Sequence, residues 1–133
     1  MQMYGNARTN YVTVVDVEGL KRSIEPFEII LHHNEKQDTY CMVKPESSDY
    51  DFYYSVEDDD GNDIEFTWEV NVMPFIKENE CLEVRAVAYD KRELCADAVM
   101  YVRRGDDVHC LVIRLDDIYD MVEEEWGITA NRI

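Results

Sequence analysis

The chain has 133 residues with 30 Asp or Glu against 13 Lys or Arg, a formal charge of −17 at neutral pH, and it is 46% hydrophobic and 11% aromatic. That length supplies one hydrophobic core, and the apolar fraction is that of a folded domain, above what a disordered acidic tail carries. The charge argues against direct binding of nucleic acid or anionic lipid, both of which are recognised through basic patches, and points to partners with basic surfaces.

In chain order, residues 1–10 (MQMYGNARTN) read as a flexible polar arm and 11–133 as a single acidic β-rich domain. The arm lacks the apolar core of a signal peptide, and no stretch approaches the roughly 20 apolar residues that span a bilayer. The expected location is therefore cytoplasmic. Cys41, Cys81, Cys95 and Cys110 are widely spaced without a CxxC pair, which fits reduced thiols in the core better than a zinc framework or the two disulfides that an exported chain could form.

Residues 11–17 (YVTVVDV) are rich in β-branched side chains and predict a first strand. A basic, Pro-containing connection leads to a second at 27–33 (FEIILHH), a turn, and a third at 39–44 stopped by Pro45. Tyr50, Phe52, Tyr54 and Val56 then alternate with polar neighbours, as do Ile64, Phe66, Trp68, Val70 and Val72. That period-2 pattern predicts two half-buried strands, joined through EDDDGND, whose Asp60-Gly61 pair signals a hairpin turn.

Pro74 ends the unit, and strands are predicted at 81–89, 94–103 and 109–115, with turns at DKRE and Gly105-Asp106-Asp107. Leu115, Ile118, Tyr119, Val122 and Trp126 follow helical spacing, with Asp116 or Asp117 as N-cap and Gly127 as stop. The fold class expected is mainly β: an antiparallel β-sandwich or partly open barrel of about seven to eight strands with one C-terminal amphipathic helix. The stretch LEVRAVAYDKRELCADAVMYV (82–102) is similar to the last two strands of an immunoglobulin-like domain, although the cysteine and tryptophan spacing of antibody domains is absent. This resemblance implies only the architecture.

The acids are segregated. Between Lys44 and Lys77 there is no basic residue but ten acids: Glu46, Asp49, Asp51, Glu57, Asp58, Asp59, Asp60, Asp63, Glu65 and Glu69. A second run holds Asp116, Asp117, Asp120, Glu123, Glu124 and Glu125. If Phe52, Tyr54, Phe66 and Trp68 are buried, alternation sends Asp49, Asp51, Glu65 and Glu69 outward together. Strand rise is about 3.3 Å per residue and duplex DNA carries a phosphate per roughly 3.4 Å on each strand, so rows of outward carboxylates approach the charge density of DNA. Solubility alone is a sufficient reason for an acidic surface. Against it, like charges on adjacent strands and at i,i+4 are destabilising, and Glu123, Glu124 and Glu125 oppose the helix dipole in its last turn.

No phosphate-binding Gly-rich loop, GxSxG or HExxH motif occurs. EDDDGNDIEFTW fails the EF-hand register, which would put Val56 and Thr67 at ligand positions, leaving at most a weak divalent site among Asp58, Asp60 and Asp63. His32 and His33, like His109 and Cys110, are sequence neighbours and would point to opposite faces of a strand. A Cys–His nucleophile pair could still form in three dimensions, for example Cys41 facing His33 across a hairpin, while Tyr53, Tyr101 and Trp126 are candidate interface anchors.

The expectation is a non-catalytic protein without metal or cofactor. It would bind a basic, nucleic-acid-processing protein through Asp49, Asp51, Glu57, Asp58, Asp59, Asp60, Asp63, Glu65, Glu69, Asp117, Asp120, Glu123 and Glu124. In size, charge and lack of catalytic motifs the chain resembles DNA-mimic inhibitors, such as phage anti-restriction and anti-CRISPR proteins, and acidic nuclease immunity proteins. The alternative is an immunoglobulin-like structural or assembly module of a virion or larger complex, acting through exposed β edges.

Overall fold

A computed structural model describes residues 4–89 and 94–129 of the chain. It is mainly β, with eight strands in two antiparallel sheets and a C-terminal helix, as the alternation and turn signals predict. The six-stranded sheet has the order β2-β3-β1-β6-β7-β8. Its strands are β1 (Tyr4–Thr9), β2 (Ile30–Asn34), β3 (Thr39–Val43), β6 (Leu82–Tyr89), β7 (Leu94–Arg104) and β8 (Asp107–Arg114). The short strands β4 (Ser55–Glu57) and β5 (Asp63–Glu65) form a separate hairpin.

One face of the large sheet is covered by α1 (Val17–Ile24), the turn of helix α2 (Trp68–Asn71), two 3-10 turns (Glu25–Phe27 and Met73–Phe75) and the β4–β5 hairpin. Between these layers lie Leu20, Phe27, Met42, Phe66, Trp68, Met73, Ile76 and Leu82, all 3% exposed or less. Phe66 is the hub of an aromatic cluster, with ring centroids 5.0 Å from both Phe27 and Trp68, while Trp68 meets Phe52 edge-on at 4.9 Å.

Three expectations are corrected. The predicted flexible arm is a central strand over Tyr4–Thr9, paired with β6 on one side and β3 on the other. The arm's polar letters mislead because its core face carries only Gly5, Ala7 and Thr9, and the buried Thr9 hydroxyl is satisfied, accepting the Met42 N–H at 2.9 Å and donating to the Asn10 carbonyl. The predicted first strand at 11–17 makes only single bridges, Val12 to Tyr40 and Val14 to Ile76, then bends at Val15, and Asp16 caps α1 by accepting the Gly19 N–H at 3.0 Å. The predicted connection after it is thus a helix, and Phe27 belongs to a 3-10 turn instead of β2.

The third correction concerns the acidic hairpin, whose strands are three residues each instead of seven or more. Before β4, Ser48 Oγ accepts the Asp51 N–H at 3.2 Å and bonds the Asp51 carbonyl, holding residues 48–51 as a loop. After β5, Thr67 caps α2 by accepting the Val70 N–H at 3.3 Å, so the backbone turns helical where alternation predicts strand. The turn at DKRE lies outside the described residues.

β6 and β7, which carry the immunoglobulin-like resemblance, lie between β1 and β8 in the six-stranded sheet. The C-terminal helix α3 spans Asp117–Trp126 and ends at Gly127, whose φ of 65° suits a glycine cap. Asp116 occupies the N-cap position without a side-chain cap bond.

Candidate functional site

In the β4–β5 ladder Val56 faces Ile64, and both pack against the core. Alternation places Glu57 directly opposite Asp63, and Glu65 opposite Ser55, on the outer face. All three acids are exposed. The tip is an ordered turn: Asp58 Oδ1 accepts the N–H groups of Asp60 (2.9 Å) and Asn62 (2.8 Å), and Gly61 supplies a φ of +80°. Asp59 and Asp60 project from it, exposed. Among the described residues none of the acids from Glu46 to Glu69 is in an ion pair.

The flanking acids divide differently from the expected row. Asp49 and Glu69 are exposed, the latter on α2, but Asp51 is half-buried. It accepts the Phe52 N–H at 2.7 Å and the Tyr54 hydroxyl at 3.4 Å, and burial pushes its carboxyl above the usual range, with Asp97 adding to the push. Tyr54 and Tyr101 are both pushed up to about 12, first by burial. Asp51 is thus a structural residue at the seam between the loop and β7.

The second acidic surface is α3. Asp120, Glu123 and Glu124 are exposed and share one shallow depression, whereas Asp117 turns inward to accept the Arg114 N–H at 2.7 Å. Met121 of α3 lines an open trough of about 420 Å³ with Val87, Ala96, Ala98, Ile113 and Leu115. By the strand register these sheet residues point away from the core. The hairpin acids and the helix acids therefore lie on opposite faces of the large sheet, and the sequence-predicted set is two surfaces.

The candidates for chemistry are dispersed. Cys41 faces His32 across β2–β3, while His33 faces Tyr40, stacks on its ring at 4.3 Å and bonds Asp38 Oδ1 through Nε2 at 2.8 Å. Cys41 is buried, its thiol 3.6 Å from Arg8 Nη2. Asp58, with one carboxylate oxygen occupied by the turn, does not converge with Asp60 and Asp63: among the described residues no three His, Cys, Asp or Glu side chains are grouped to hold a metal.

All four cysteines are free, but Cys81, Cys95 and Cys110 are exposed where core positions were expected. Of the aromatic anchors Tyr101 is buried at 8%, while Trp126 is 71% exposed at the end of α3.

Sequence reasoning missed an exposed apolar strip on β7, β8 and the following turn. Leu111 is 78% exposed, and Val112, Ile113, Leu115 and Met100 are exposed beside it. The signal was present as Leu111-Val112-Ile113, three consecutive apolar residues in a predicted strand, which half-burial cannot explain. Among the described residues no helix is long and apolar enough to cross a membrane. The sequence matches no protein-family model, and no characterised protein or solved structure shows significant similarity to it.

Proposed function

We propose that the chain is a non-catalytic, cytoplasmic binding protein whose acidic hairpin occupies the basic groove of a nucleic-acid-processing protein, in the manner of a DNA mimic. The observation that carries this reading is the cross-strand pair Glu57–Asp63, extended by Glu65 and by Asp59 and Asp60 at the tip. Like charges directly opposite on neighbouring strands are destabilising, and among the described residues no cation forms an ion pair with them. A basic partner would. The ordered turn also supports the reading, since carboxylates held on a rigid tip lose little freedom on binding. The helix acids Asp120, Glu123 and Glu124, on the other face, are a separate surface in this scheme and not part of the groove-filling one.

Capture on the immobilised chain from a lysate of the encoding organism tests the proposal. The expected ligands are basic nucleic-acid-binding proteins that are released as salt screens the contact and displaced by added duplex DNA. Retention of partners indifferent to both salt and DNA contradicts it. The second reading, an assembly module within a larger complex, draws its support from one observation, the exposed apolar strip on β7 and β8.

A further inference from the structure

β8 closes one side of the six-stranded sheet and, among the described residues, pairs only with β7. The other edge, β2, is five residues long and polar at its end (His32, His33, Asn34), which blunts it. β8 is eight residues long, and Leu111, Val112 and Ile113 at its centre are 78%, 52% and 53% exposed. A long, apolar, open edge is a template for another strand.

The direction of its backbone groups follows from one hydrogen bond. The Leu115 N–H donates to the Ala96 carbonyl at 2.9 Å, directly across from it in the register that pairs Asp97 with Arg114. Hydrogen-bonded and non-hydrogen-bonded pairs alternate along an antiparallel ladder. Ile113, Leu111 and His109 therefore turn their N–H and C=O groups towards β7, and Val112, Cys110 and Val108 turn theirs to the open edge. Arg114 also faces outward, but its N–H is taken by Asp117. The open edge thus offers three residues and ends at Val112.

We propose that a second copy of this chain occupies this edge, its β8 antiparallel to the first, so that two six-stranded sheets join into one. A two-fold axis normal to the sheet requires one residue to face its own copy. Among residues with outward backbone groups, centring on Cys110 uses all three: Val108 faces the partner's Val112, Cys110 the partner's Cys110 and Val112 the partner's Val108. Centring on Val112 would instead bring the partner's Cys110 against Arg114, whose donor is already used.

The Cys110 register also puts Arg114 opposite the partner's Asp106 at each end, so the interface is complementary in charge. The strand pair itself is neutral as well, with Asp117 beside Arg114 adding one acid at each end. Residues 94–114 hold three acids (Asp97, Asp106, Asp107) and three bases (Arg103, Arg104, Arg114) in a chain of charge −17. A neutral strip favours a second copy over the basic partner expected at the hairpin, and repulsion from the remoter acids is screened beyond about 10 Å at 0.1 M salt.

Sedimentation of the full chain tests this. The expected result is twice the chain mass at micromolar concentration. It should fall to the monomer mass in Cys110→Pro and Val112→Pro, because proline removes an N–H that points to the open edge and leaves the β7 ladder intact. Circular dichroism should be unchanged in both. Residues facing across a hydrogen-bonded pair have Cα atoms about 5.5 Å apart, within disulfide reach.

In a variant carrying Cys81→Ser and Cys95→Ser, diamide should therefore take two electrons and two protons from the two Cys110 thiols and leave one reducible intermolecular S–S bond. Adding Cys110→Ser should abolish it. A monomeric wild type, a dimer that survives both folded proline variants, or, should the prolines unfold the chain, a dimer that Cys110 fails to cross-link overturns the proposal. None of these outcomes bears on the acidic hairpin, which takes no part in the strand pairing.

Discussion

Asp58 and Asp59 are adjacent acids with different work to do. Asp58 Oδ1 holds the turn through two backbone N–H groups, whereas the exposed Asp59 makes no hydrogen bond or ion pair among those described. Asp58→Asn keeps the accepting oxygen and should leave thermal stability unchanged. Asp58→Ala strands two donors and should cost about 1 kcal/mol, read from the denaturant midpoint.

The same distinction removes Asp51 from the proposed binding surface, since its half-buried carboxyl serves the Phe52 N–H and the Tyr54 hydroxyl. Composition identified both as acids in a base-free segment. It could not separate them, because a carboxylate's role depends on which backbone donors the fold brings to it.

Tyr101 gives a second test at this scale. Burial raises its phenol from 10.0 to about 12, so the folded chain holds this proton more tightly than the unfolded one. The resulting stability is fully present below pH 10.0 and is lost as pH rises towards about 12. Tyr101→Phe should flatten the alkaline fall in denaturant midpoint, and an unchanged fall would show that Tyr101 is not its source.

Among the elements, the hairpin shows what alternation could and could not reveal. Burial of Phe52, Phe66 and Trp68 was legible, and all three are in the core, whereas Tyr54, expected with them, is 44% exposed. The strands around them were not, because Phe66, Trp68 and Val72 fit both a strand and a strand passing into a helical turn. Val70 separates the two: a strand would bury it, and at 72% exposed it lies on the outside of α2. The Thr67 cap that decides the matter is a local bond that competes with sheet pairing.

What remains of the hairpin still presents Glu57 against Asp63. Glu57→Gln or Asp63→Asn should therefore stabilise the fold by about 0.2–1 kcal/mol in thermal or denaturant unfolding. A loss of stability would mean that the pair is not strained by its charge. β1 failed to be read for the opposite reason: a polar strand in the sheet interior offers no hydrophobic period when its core face carries only Gly5, Ala7 and Thr9.

At the scale of the whole molecule, a charge of −17 resolves into three surfaces: an acidic hairpin over the core, an acidic helix on the far side of the sheet, and a neutral apolar edge at β8. The sequence showed that the acids were segregated. It gave no means of telling that the hairpin and helix face opposite ways, since that depends on strand order, with β8 outermost and α3 returning over the outer face. The proposed function rests on the hairpin alone.

The most direct measurement is the affinity of the captured basic partner for the wild type and for a variant carrying Asp59→Asn, Asp60→Asn, Asp63→Asn and Glu65→Gln. These substitutions leave Asp58 and the turn intact. The expected result is a folded variant at least as stable as the wild type, binding at least about tenfold more weakly, which is 1.4 kcal/mol, with a shallower dependence on salt. Equal affinity and an equal salt slope would contradict it.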